Sequence, residues 1–358
     1  MNSPEKVDIV FLRPLLPHIS KYSGYENFNR KLKDENIEYM EIFGQKSLKR
    51  YDLLKRFHFT KRNKNRAKKI GPYYNVFSYL AEMEALKTAV RNGAKIIHNT
   101  SLEDNHGFLG AYREKYKFHL ISTPHQPVSW WKFTNKNTDC IKDLDLLIAL
   151  GKQEKDYFEN IIPGRVRLIY HGVDTAFFKI MRPIESRPCR LLFVGNWLRD
   201  LHFLEMVISK VLKVSKDVLV DIVNAQTDLS NPVFKLCKYP QVTLHRHISD
   251  VNLLNLYNDS RLLFLPLIDA TANNSLLEAS ACGVPIVTSD LPTVREYTDN
   301  SFAYYYNCHK TCADYIVEII KDDLQLKSQS LSATNFMTNN FSLEKIAHQH
   351  ANIYKEFI

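Results

Sequence analysis

No window of this 358-residue chain comes near the ~18 consecutive apolar residues that a membrane-spanning helix needs. The amino terminus, MNSPEKVDIVFLRPLLP, also lacks the order of a secretory leader: basic region, apolar stretch, small-residue cleavage site. Both absences point to the cytoplasm. Cysteine is sparse and scattered, at Cys140, Cys189, Cys237, Cys282, Cys308 and Cys312. That spacing excludes a disulfide framework, and reduced thiols suit a cytosolic protein. Cys308 and Cys312 enclose His309, but no second pair stands at ligand spacing, so no zinc site is expected.

What is present is ordinary globular composition, 45% hydrophobic and 24% charged. The length exceeds what one core usually serves, which predicts two domains of roughly 170 residues. The formal charge of +9 is concentrated between Lys46 and Lys69, where eleven Lys and Arg face one acid, Asp52. A nucleic-acid module would place aromatics to stack on bases. Leu48, Tyr51, Leu53, Leu54, Phe57 and Phe59 instead make this a mixed apolar and basic segment. It reads as a solvated surface loop or as a helix lying on an anionic membrane, where each basic residue adds about 1 kcal/mol. Nucleic acid is not an expected partner.

Short apolar runs alternate with helical patterns along the whole chain. Strands are expected at Val7–Leu12, Ile37–Phe43, Lys95–His98, Phe118–Ser122, Leu144–Leu150 and Val166–Tyr170. Helices fall at Tyr79–Val90, ended by Gly93, and at Lys152–Asn160. The rhythm restarts at Arg190–Val194, breaking at Gly195. Strands follow at Val218–Val223, Val242–Leu244, Leu262–Pro266 and Pro285–Thr288, with helices at Phe203–Val214, Val251–Tyr257 and Ser275–Cys282. Such alternation implies α/β architecture: two doubly wound, Rossmann-like domains with parallel sheets. The expected division is 1–180, 181–340 and a terminal helix over 341–358, with the boundary in Phe178–Pro188. Ligands of such folds sit beyond the carboxyl ends of the strands, which selects the loops at Ser23-Gly24, His125, Arg199 and Asp269–Asn274.

The most informative stretch is LPLIDATANNSLLEASACGVPIVTSDLPTVREY, Leu265–Tyr297. A strand leads into a polar loop, and a helix begins near Asn274 or Ser275, either a good N-cap. Its first turn offers backbone N–H groups and the positive dipole end to an anion. Glu278, one turn in, can accept two hydrogen bonds from a vicinal diol such as ribose. Phosphate on the backbone and a diol on the carboxylate together describe a nucleotide. A capped helix with a surface glutamate is the plainer reading of the same residues.

Glu278-Ala279 followed by Ala281-Cys282-Gly283-Val284-Pro285-Ile286-Val287 resembles the signature of retaining GT-B glycosyltransferases, the family 4 group. HGVDTAFF, His171–Phe178, is similar to their segment at the interdomain junction. Phe193-Val194-Gly195 and the SGY loop after the first strand fit as well. The resemblance implies the GT-B fold: two Rossmann-like domains facing across a cleft, and a terminal helix, Ser342–Ile358, crossing back to the first. It implies a nucleoside-diphosphate sugar donor, UDP- or GDP-linked, and a glycan, polysaccharide or lipid-linked acceptor, with no metal and no other cofactor. Gly24, with Ser23, then approaches donor phosphate and acceptor; His125 contacts the donor sugar; Arg199 neutralises the diphosphate. Gly195, Asn196, Asn273, Asn274 and Ser275 line the phosphates, Glu278 takes the ribose, and His247, after His245 and Arg246, lies where the family places the base.

Two departures stand out. Asn196 occupies a place where the family usually has Arg, and Ala270 falls where the first of two paired glutamates belongs. Asp269 is the adjacent substitute for contacting sugar hydroxyls. Transfer requires departure of a nucleoside diphosphate, whose growing charge Arg199 and the helix start would stabilise. The chain shows no Asp-x-Asp pair after a strand, in keeping with metal-free transfer, and no catalytic base is assigned. Asn99, Glu103, Asp104 and His106 line the same edge as His125 and are weaker candidates for acceptor contact. Trp130 and Trp131 read either as sugar-stacking planes or as packed core. Three readings compete: a retaining transferase; another GT-B catalyst, such as an epimerase or inverting transferase; and a non-catalytic sugar-nucleotide or glycan binder. Product anomer and acceptor dependence separate the catalysts.

Overall fold

The computed structural model describes residues 6–14, 20–24, 27–44, 74–134, 138–225, 227–228, 230–306 and 308–358. The basic segment Lys46–Lys69 lies outside the described residues. Contacts divide the chain into two units that are not continuous in sequence. The first combines Met1–Ile19, Phe28–Tyr170 and Ile346–Ile358; the second combines Ser20–Asn27 with His171–Lys345.

The first unit is built on six parallel strands: β1 (Ile9–Arg13), β2 (Tyr39–Phe43), β3 (Ile96–Asn99), β4 (His119–Ser122), β5 (Leu146–Ala149) and β6 (Val166–Leu168). Their spatial order is β2-β1-β3-β4-β5-β6, so the winding reverses between β1 and β3. Strands covered on both faces need apolar side chains throughout, and Ile9, Val10, Phe11 and Leu12 are all buried. The helix Val76–Asn92 starts on a capping box between Asn75 and Ser78, and Gly93 closes it at φ 69°. Ala81, Ala85 and Ala89, four residues apart, share one face of that helix and join the core cluster of Val10, Leu12 and Ile97. Each fully buried Leu or Ile of this core contributes about 2 kcal/mol. The last helix, Leu343–Tyr354, belongs to this unit from Ile346 onward. There the Tyr354 hydroxyl meets His98 Nδ1 at 2.7 Å, and His350 stacks on Phe28 with ring centres 3.8 Å apart.

The second unit repeats the design with β7 (Arg190–Val194), β8 (Leu219–Val223), β9 (Val242–His245), β10 (Leu262–Leu265), β11 (Ile286–Ser289) and β12 (Ala303–Tyr306). The order is β12-β11-β10-β7-β8-β9, all parallel, and here the winding reverses between β7 and β10. Residues 178–188, which read as a linker, are pinned by a fully buried Arg187. Its guanidinium donates to the carbonyls of Arg182, Tyr257, Ser260 and Cys282, which satisfies a charge that would be costly to bury bare. Strand β12 and the helices His309–Ile319 and Asp323–Phe341 have no counterpart in the sequence reading. β12 reads AYYY, with hydroxyl-bearing residues where an apolar run would be sought. The helix Asp323–Phe341 spreads Ser, Thr, Asn and Gln around an apolar stripe of Leu326, Ala333 and Met337.

Candidate functional site

Strand β10 delivers the chain to the loop Pro266–Asn273, and the helix Asn274–Ala281 follows. Its N-cap is Asn273, one residue before the expected pair: the Asn273 side chain accepts from the Ser275 N–H at 3.1 Å. The Ser275 amide is therefore already engaged. Asn274 Oδ1 and the Thr271 hydroxyl are buried in this turn with no hydrogen-bond partner. Against it lies Gly24, in the left-handed region at φ +54°, where an added Cβ would strike the Asn274 side chain. Only glycine fits both constraints there.

The segment Ser20–Asn27 is held in the second unit by main-chain bonds. Gly24 N–H donates to Gly172 O at 2.9 Å, Asp174 N–H donates to Tyr22 O at 2.7 Å, and Ser23 bridges to Val173. Tyr22 stacks on Phe177 with centres 3.5 Å apart. The HGVD stretch thus serves as a backbone partner for the loop after the first strand. That fixes Ser23, which donates a short hydrogen bond to Glu278 Oε1. The second oxygen, Oε2, accepts from the Tyr257 hydroxyl at 2.9 Å. Burial pushes the Glu278 carboxyl up to about 7, with the two hydroxyl donors pulling the other way. Tyr257 is raised well above the phenol range, first by burial and then by the neighbouring carboxylate, so it stays a donor. Tyr257 carries no motif, and its role is visible only from the packing of the helix Asp250–Asn258 against Glu278.

Beyond β7, Gly195 holds φ +105° and a Cβ there would lie 2.7 Å from Arg199 Nη2. This lets the Arg199 side chain fold back, with Nε donating to Val194 O at 3.1 Å and Nη1 to Trp197 O at 2.9 Å. Burial lowers its pKa to about 10, which leaves it cationic at neutral pH. Asn196 accepts from the Ala225 N–H at 3.3 Å, fastening this loop to the one after β8. Asp269 is half-buried and accepts from the Ala270 N–H at 2.8 Å, while Ala270 itself is buried. His245 ends β9 and is bound to Asp221 at 2.6 Å; beyond the strand, Arg246 lies over the Phe234 ring and His247 is exposed with φ 51°.

The remaining candidates belong to the first unit. His125 is buried; its Nε2–H donates to Thr100 O at 2.8 Å and its main-chain N–H donates to the Glu103 carboxylate at 3.2 Å. Glu103 thereby orders the loop, and Asp104 accepts from the Ser101 hydroxyl at 2.7 Å. His106 Nε2 lies 2.8 Å from Cys140 O. Trp130 and Trp131 are packed core, edge to face with each other. Among the described residues no three His, Cys, Asp or Glu side chains stand together as a metal site, and no helix is long and apolar enough to cross a membrane.

Residues 188–322 match the family described as Glycosyl transferases group 1. No curated protein matches the chain significantly. Among solved structures, sucrose-phosphate synthase from Thermosynechococcus elongatus is similar with a TM-score of 0.73 at 15% identity, covering 98% of this chain and 99% of its own. HepE of Anabaena, in complex with UDP and glucose, gives 0.68 at 13%, covering 98% and 100%. A glycosyltransferase from Rickettsia africae gives 0.64 at 16%, covering 98% of each. At such identities the likeness shows the fold. The chain has the GT-B fold, with two parallel six-stranded sheets, and its second unit carries the stretch that matches the group 1 glycosyl transferases.

Proposed function

We propose that the protein is a glycosyltransferase that moves a sugar from a UDP- or GDP-sugar to a hydroxyl of a glycan or lipid-linked acceptor, with retention of configuration. The observation that carries this reading is the cluster of Ser23, Gly24, Asn273–Ser275, Tyr257 and Glu278, all in the second unit, in which Asn273–Ser275, Tyr257 and Glu278 fall inside the stretch matching the glycosyl transferases group 1 family. Two solved structures of the same fold hold UDP or UDP-glucose, which supports a nucleotide-sugar here. In this reading the ionised Glu278 accepts the ribose hydroxyls. Arg199 turns from its own loop carbonyls to the diphosphate, where its planar fork suits phosphate oxygens. The acceptor oxygen bonds to the anomeric carbon, the bond to the diphosphate breaks with its electron pair kept on phosphate oxygen, and the acceptor proton passes to that oxygen. Arg199 and the helix start stabilise the charge that develops. No metal is assigned a step, and His125 is assigned to the donor sugar. A cytoplasmic protein touching an anionic membrane surface through Lys46–Lys69 is part of the same proposal.

A second reading, a non-catalytic nucleotide-sugar or glycan binder, is favoured by two observations: Asn196 is spent on Ala225, and the position of the first paired glutamate is the buried Ala270. A thermal-shift panel of UDP, GDP, ADP, CMP and their sugar conjugates, with EDTA present, tests the binding. A ligand at 100 times its dissociation constant adds ~2.7 kcal/mol. A shift with one nucleotide family, followed by acceptor-dependent turnover lost in Arg199→Ala, is the expected result. Binding without turnover selects the second reading as a nucleotide-sugar binder, and no shift with any nucleotide overturns the transferase and leaves the glycan binder.

A further inference from the structure

Two hydroxyls of different mobility hold the Glu278 carboxylate, and both lie with it in the second unit. Tyr257 is fully buried, its ring stands edge-on to Phe178 with centres 6.0 Å apart, and its oxygen is also bonded to the Ser275 side chain. It leaves the carboxylate only if the helix Asp250–Asn258 moves. Ser23 is fully buried as well, but its hydroxyl hangs on a single torsion. The main chain around it is held without that hydroxyl. Gly24 N–H donates to Gly172 O, Asp174 N–H to Tyr22 O, and Lys21 N–H to Asp250 Oδ2 at 3.3 Å. Asn27 Nδ2 donates to the carbonyls of Ser20 and Ser23 at 2.9 and 2.8 Å. The Ser23 hydroxyl can therefore turn away while the loop stays in place. Glu278 is itself 3% exposed, so an incoming donor group reaches it only where one of the two hydroxyls gives way.

We propose that the Ser23 hydroxyl is an internal stand-in for a ribose hydroxyl: it satisfies Glu278 until a nucleotide arrives, and the ribose binds by taking its place. Both groups are aliphatic alcohols donating to the same carboxylate, so the exchange swaps one hydrogen bond for an equivalent one. A buried carboxylate stripped of a donor is unfavourable, and Ser23 prevents that state. The same contact that stabilises the free protein therefore weakens its affinity for nucleotide. Tyr257 is the positioning residue that stays and keeps Glu278 aimed. The inference rests on the nucleotide-sugar reading above and adds to it the group that the nucleotide displaces.

The test is calorimetry on the full chain with UDP, GDP and the dideoxyribose analogue of each. It is run at about pH 8.5, above the value of about 7 to which burial raises the Glu278 carboxyl, so that the site is ionised. Ser23→Ala should bind the nucleotide that wild type prefers roughly tenfold more tightly, the scale of one hydrogen bond to a charged group. The free variant should melt at a lower temperature than wild type. Ser23→Cys keeps the side-chain volume with a weaker donor; it should fall between the two, and it carries the test if the alanine variant does not fold. The dideoxy analogue has no hydroxyl to place on Glu278 and should bind wild type and Ser23→Ala alike. Tyr257→Phe should show no gain with any probe. Nucleotide affinity unchanged or lowered in Ser23→Ala, an equal gain for the dideoxy analogue, or the same gain in Tyr257→Phe overturns the displacement while leaving the nucleotide site standing. Absence of binding by wild type and by both Ser23 variants overturns the nucleotide reading and the displacement together.

Discussion

Glu82 of the first unit and Glu278 of the second are both buried with carboxyls pushed up to about 7, and the two are held in different ways. Glu82, on the helix Val76–Asn92, accepts from the main-chain N–H groups of Gly107, Phe108 and Leu109 and from the Tyr74 hydroxyl. Among the described residues, Glu278 accepts from two side-chain hydroxyls, Ser23 and Tyr257. Main-chain donors cannot leave without unfolding the loop, so Glu82 is a rivet. Hydroxyls can rotate away at little cost, so Glu278 can exchange a partner for a ligand diol. Burial and a raised pKa are shared by both; the mobility of the donors separates structure from recognition.

The comparison breaks first at Glu82. Glu82→Ala strands three buried N–H groups and should destabilise the protein by about 4 kcal/mol in urea unfolding; a loss below ~1 kcal/mol would mean that water replaces the carboxylate freely. Next is pH. A carboxyl whose folded pKa stands near 7 against 4.5 unfolded gives stability that is present below pH 4.5 and lost as pH rises through 7, on the order of 3 kcal/mol for each residue. Glu82→Gln and Glu278→Gln should each remove one share of that slope relative to wild type. Saturating nucleotide should alter only the share of Glu278, since diol donors favour its ionised form. His350, lowered to about 4 by burial, acts in the opposite sense, adding stability above pH 6.5 that is lost as pH falls through 4.

Glu278→Gln should weaken nucleotide binding by about 2–3 kcal/mol, the cost of replacing a charged acceptor with a neutral amide. Calorimetry with UDP and GDP would show it, while Glu82→Gln binds as wild type does. Gly24→Ala is the smallest effect, about 1–2 kcal/mol of stability from left-handed strain and the Asn274 contact. A melting temperature unchanged from wild type would show that the turn relaxes.

Much of the architecture was legible because strand and helix periods are local. RLLFV gave β7 to the residue, and the strands expected at Ile37–Phe43 and Lys95–His98 lay within two residues of β2 and β3. Gly93 and Gly195 marked backbone positions that side chains avoid. The helix start was misplaced by one residue because Asn273, Asn274 and Ser275 are all competent caps, and only the turn geometry chooses among them. Tyr257 was invisible because a tyrosine on an amphipathic helix carries no positional signal. Ser23 was noticed for its loop and not for its hydrogen bond. Asn196 read as a weakened phosphate site, and in the structure it ties two loops together.

The sequence by itself determined two parallel α/β layers and the loops from which a site could be built, because alternation of apolar runs and helical stripes follows from burial within a few residues. Only the tertiary structure decided that the loop after the first strand joins the second unit, 255 positions away from Glu278 along the chain. Such a contact depends on strand order and on the main-chain pairing of Ser20–Asn27 with Gly172–Asp174. No local window contains either.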